Sequence, residues 1–79
     1  MKYSVKYVYL YTEGIARELS RSGWQEGWQQ VVADDDHYAK KAVAEDLAAN
    51  KAHLGYKAYK ITEIFEIAAP TDFKRVWQA

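Results

Sequence analysis

The sequence predicts an α+β fold: a small antiparallel-rich sheet in the chain order β-β-α-β, open to a fourth strand, with one helix packed on one sheet face. Three observations predict it. Residues 2–12 place Tyr3, Val5, Tyr7, Tyr9 and Tyr11 on one parity, the period of a strand. Residues 37–52 are rich in alanine, follow three consecutive aspartates and stop before Gly55, which together mark a capped helix. Residues 56–67 return to β-branched and aromatic residues, with Tyr59, Ile61, Phe65 and Ile67 on one parity.

In chain order, the first strand has Lys2, Ser4 and Lys6 on its second face, but Val8 and Leu10 make its later half apolar on both faces. That half belongs in the centre of a sheet or under a cover. Residues 13–23 are polar and bounded by Gly14 and Gly23. They read as a mobile connection with a helical turn around residues 15–19, of a length that often serves function. Residues 24–33 carry Trp24, Trp28, Val31 and Val32 and read as the second strand, with Gly27 at a bulge or a close approach.

Asp34, Asp35 and Asp36 offer N-cap oxygens and negative charge to the unpaired donors of a helix start. Ala39, Ala42, Val43 and Leu47 form its apolar stripe, which Leu54 extends, and Asp36 and Lys40 are spaced for an ion pair. The strand after Gly55 is long enough to hold a bulge. Pro70, Thr71 and Asp72 read as a turn, and residues 73–78 after it as a short edge strand or a single helical turn packing Phe73, Val76 and Trp77, the strand being favoured. A right-handed crossover then returns the third strand beside the first, in the sheet order 2-1-3.

Length and composition bound the rest. Seventy-nine residues make one domain, 1–79, with one thin core. Eleven basic residues balance eleven acidic ones, so no overall field draws the chain to nucleic acid or an anionic membrane. The chain has no cysteine, which fits a reducing cytosol, and no apolar run near the ~20 residues of a membrane span.

No reactive constellation stands out. The Asp34–His37 run lacks the alternating carboxylates and glycine of a calcium loop, and His37 and His53 are not spaced as a helical zinc pair. The serines sit in no nucleophile motif, and Glu63 and Glu66 have opposite strand parity, so they point to opposite faces. We therefore expect no catalytic residue, metal or cofactor. The aromatic residues are more informative, because twelve rings exceed what one small helix can cover. With nearby cations they suggest a partner-binding surface, and the candidate residues are Lys6, Arg17, Arg21, Trp24 and Lys60. Lysines beside tyrosines also fit a single-stranded nucleic-acid reader, a less favoured expectation without net positive charge. Self-association through the open sheet face is a third.

The first strand, Val31 and Val32, the aspartate cap, the alanine helix, Gly55 and the strand ending IleThrGluIlePheGluIle together resemble a plan found among small phage-encoded proteins. Similar architectures occur among some anti-CRISPR proteins of type I systems and among phage inhibitors of bacterial RNA polymerase. The resemblance is one of architecture and size and carries no functional residue with it. It implies a non-enzymatic inhibitor in the host bacterial cytosol that binds a bacterial host protein or nucleoprotein complex. The leading expectation is a CRISPR surveillance complex whose engagement with DNA is sterically blocked.

Overall fold

The computed structural model describes residues 1–79. Its elements are β1 (Lys2–Tyr11), α1 (Glu13–Leu19), β2 (Gln25–Val32), α2 (Asp36–Leu54), β3 (Tyr56–Ala69) and β4 (Asp72–Gln78). They form a four-stranded sheet in the order β2-β1-β3-β4 with every neighbouring pair antiparallel. The first three strands take the expected order, and the C-terminal segment adds the fourth strand outside β3. Being central explains why Val8 and Leu10 of β1 can be apolar on the second face: both are half-buried.

α2 lies across one face of the sheet. Asp35 caps it, accepting the Tyr38 N–H at 2.9 Å on Oδ1, and Gly55 ends it in the left-handed region at φ 76°. Ala39, Val43 and Leu47, spaced four residues apart, close against Tyr3, Val5, Tyr9, Tyr56, Ile61 and Ile64 to make the core. The contact is a single narrow row, so Ala42, expected on the stripe, is exposed. Leu54 is also exposed, at 41 %, because Tyr56 takes the buried position at that end and stacks on Tyr9 with ring centroids 4.4 Å apart. The expected Asp36–Lys40 ion pair does not form. Lys40 Nζ instead sits 4.0 Å from the centre of the Trp77 ring, where β4 brings an aromatic face to α2.

The 13–23 connection is more ordered than its composition implies. A seven-residue helix, α1, fills most of it, so the fold has two helices rather than one. α1 docks on the turn after α2: Thr12 N–H donates to Gly55 O at 2.9 Å, and a Cβ on Gly55 would stand 3.0 Å from Ile15 Cγ1. Gly55 is thus required by its φ and by its neighbour.

Parity along β3 breaks where an extra residue enters. The β1–β3 register shifts between Lys6 and Tyr7, pairing Lys6 with Glu63 and Tyr7 with Ile61. Thr62 is the additional residue; its Oγ1 donates to Lys6 O at 3.3 Å and its carbonyl accepts from Ala79 N–H at 2.9 Å. Ile61 and Ile64 therefore both face the core, whereas Phe65, on the parity of Ile61, faces the other way. Gly27 marks no bulge, since β1 and β2 pair without a shift. Its glycine admits the Tyr7 ring, whose Cζ would lie 2.5 Å from a Cβ.

Candidate functional site

The sheet face opposite α2 carries the most organised group of exposed side chains. Even-numbered residues of β1 point to it, and their cross-strand partners join them. Trp28 lies opposite Lys6 on β2, and Phe65 lies opposite Ser4 on β3. The two rings approach to 5.7 Å between centroids although β1 separates their strands, so they lean together above the small Ser4, which is 4 % exposed. Trp28 remains 53 % exposed and Phe73, opposite Ile67 further along the face, 47 %.

Four charges on this face are tied to one another, while Lys2 and Lys60 join no salt bridge. Lys6 Nζ stands 3.3 Å from Glu26 and 3.7 Å from Glu63, and Arg75 reaches the second oxygen of Glu63 at 3.5 Å. Lys6 is also 5.7 Å from the centre of the Trp28 ring. Two cations and two carboxylates thus form a neutral network around the tryptophan. The pairs that involve the exposed Glu26 and Arg75 side chains each contribute less than about 1 kcal/mol to stability, and Lys6–Glu63 is the more covered of the three.

The sequence candidates fall in different places. Lys6 is central to this network, and Lys60 is exposed opposite Val8 on β3. Arg17, in the last turn of α1, and Arg21, just past its left-handed cap Ser20, line one open depression with Glu13, Ala16 and Ser22. Both arginines are exposed, and neither joins a salt bridge. Trp24 stands just before β2 and is 54 % exposed. Sequence reasoning missed Trp28, Phe65, Glu26, Glu63 and Arg75 as a group. The even parity of Glu26, Trp28, Gln30 and Val32 was a usable sign, but the partners of Lys6 follow from register.

The face under α2 is chemically quieter. Tyr3, Tyr9 and Tyr56 have pKa values pushed above the ordinary tyrosine value, burial being the leading cause in each. At Tyr9 the neighbouring Tyr11 adds to the rise and the Arg21 guanidinium opposes it. Tyr7, Tyr9, Tyr11 and Tyr56 form a run of ring contacts with centroids 4.4 to 5.9 Å apart. No three acidic or histidine side chains converge on a point that could hold a metal ion. No helix is long and apolar enough to cross a membrane. Comparison with protein-family models, curated proteins and solved structures finds no match to this chain.

Proposed function

We propose that this protein is a non-catalytic binding module that docks on a protein surface through the sheet face centred on Trp28 and Phe65. The observation that carries the reading is the half-exposed Trp28 ring, set against the partly buried Phe65 and inside a neutral charge network. A tryptophan held in place by its neighbours loses little freedom on binding, and Trp with Arg is the usual composition of an interface anchor. A single-stranded nucleic-acid reader also stacks bases on such rings, but it needs cations free to neutralise phosphates. Here Lys6 and Arg75, the cations nearest the rings, already face carboxylates, and only Lys2 and Lys60 at the margins of the face are free, which favours a protein partner.

For the target, the proposal follows the architectural resemblance: a bacterial nucleoprotein complex, foremost a type I CRISPR surveillance complex, bound in the bacterial cytosol so that DNA is kept out. Arg17 and Arg21 supply a second, cationic contact on that partner. The test uses two purified complexes, the surveillance complex and bacterial RNA polymerase. Wild type should bind the first and abolish its shift of target DNA, and Trp28→Asp should lose both while keeping its circular dichroism. Binding to polymerase alone would move the target to the alternative inhibitor class. Unchanged binding by Trp28→Asp would remove this face from the account, and the Arg17→Ala/Arg21→Ala variant would then separate the α1 surface from it.

A further inference from the structure

The two edges of the sheet are built differently. β4 closes one side with Asp72, Lys74 and Arg75 and with two register irregularities against β3, features that discourage addition of another strand. β2 closes the other side with eight regular pairs to β1, and residues 27–32 contain neither charge nor proline. The hydrogen bonds show which groups this edge leaves free. The Met1 nitrogen donates to Ala33 O at 2.9 Å and the Ala33 N–H returns to Met1 O at 2.9 Å, so that rung is a bonded pair. Bonded rungs alternate along an antiparallel ladder, so Glu26, Trp28, Gln30 and Val32 turn their N–H and C=O groups away from β1.

We infer that this edge pairs with β2 of a second copy of the chain, antiparallel, about a twofold axis at Gln29. This register engages all four outward residues on each copy, joining Glu26 to Val32 and Trp28 to Gln30 across the axis; registers centred elsewhere leave an end unpaired. It also keeps the only charge of β2, Glu26, opposite Val32, which is 79 % exposed, rather than opposite another carboxylate. The same axis carries Trp24 of one copy to Asp34 of the other. There a depression lined by Val32, Tyr38, Lys41 and Ala42 lies open, and Trp24 and Tyr38 are each 54 % exposed. The junction is isologous and yields one continuous sheet of twice four strands, with both Trp28 faces on the same side. This inference stands apart from the proposed target and needs only the chain itself.

Sedimentation between about 10 and about 300 μM tests it, because a self-association through so small a contact is read through its concentration dependence. The mass should rise from 9.1 kDa towards twice that value. Gln30→Pro removes an outward N–H and leaves every bond to β1, so it should stay monomeric at all concentrations with an unchanged circular dichroism spectrum. If proline disturbs the strand, Val32→Glu gives the same reading by placing a carboxylate opposite Glu26 of the other copy at both ends of the contact. Register is read with a single cysteine, which the cysteine-free chain makes unambiguous. Two residues 29 would face each other on a non-bonded rung at about 4.5 Å between Cα atoms, within disulfide reach. Gln29→Cys should therefore cross-link under mild oxidation, and Gln25→Cys should not. A wild type that stays monomeric throughout, a dimer that survives in both Gln30→Pro and Val32→Glu, or cross-linking at residue 25 in preference to 29 would overturn the inference.

Discussion

Under α2, Val5, Val43 and Ile64 are fully buried, whereas on the opposite face Trp28 and Phe73 are about half exposed and Lys6, Arg75, Glu26 and Glu63 pair among themselves. Both faces are rich in rings, but the rings have different jobs. On the covered face tyrosines extend a core that one alanine-rich helix could not fill. On the open face the tryptophan and phenylalanine meet over a serine, and their exposed remainder is available to a partner. The difference teaches that one side of this thin sheet holds the core while the other leaves rings exposed; on the proposed function stability and recognition then lie on opposite sides, so substitutions should separate them.

The largest expected effect is on the covered face. Ile64→Ala removes a fully buried side chain from the middle of the core and should cost about 4 kcal/mol, read as a lower urea midpoint. Gly27→Ala is subtler: its Cβ would meet the Tyr7 ring at 2.5 Å, so the ring must move off β2. The expected loss is about 2 kcal/mol, and a double variant that also carries Tyr7→Ala should show no added penalty from the Cβ. Asp35→Ala deletes the α2 cap and should cost about 1 kcal/mol with the core otherwise intact.

A pH titration sharpens the same contrast. The folded protein holds the protons of Tyr3, Tyr9 and Tyr56 longer than the unfolded chain does, because their pKa values are raised above 10.0. Their contribution is complete below that pH and is lost as the pH rises through the folded values, so the unfolding midpoint should fall on the alkaline side. Tyr56→Phe should flatten that fall. Smallest of all in stability is Trp28→Ala, at most about 1 kcal/mol, since half the ring is already exposed. A loss comparable to Ile64→Ala would erase the distinction between the faces.

Much of the scaffold was legible because its signals are local. The alternation of β1, the cap at Asp35, the row Ala39, Val43 and Leu47, and the stop at Gly55 each depend on neighbours in sequence. α1 was not legible as a full helix, because none of its residues is buried and its place is set by Gly55, forty residues away from Ile15. The parity switch at Thr62 likewise depends on Lys6 and Ala79, which no reading of β3 alone supplies. Of the candidate site, Lys6 was found as an exposed-face cation, but its carboxylate partners Glu26 and Glu63 come from β2 and β3 and are chosen by register. Arg17 and Arg21 were found together and do share a depression, while Trp28 was visible as a strand residue and gained meaning only once Phe65 was placed beside it.

The most direct measurement makes Trp28 the sole indole reporter by replacing Trp24 and Trp77 with phenylalanine, then follows its fluorescence as purified surveillance complex is added. Burial of the open face predicts a blue shift of the emission and a drop in iodide quenching that saturate together with binding. Saturating complex formation with the Trp28 emission and quenching unchanged would contradict the account.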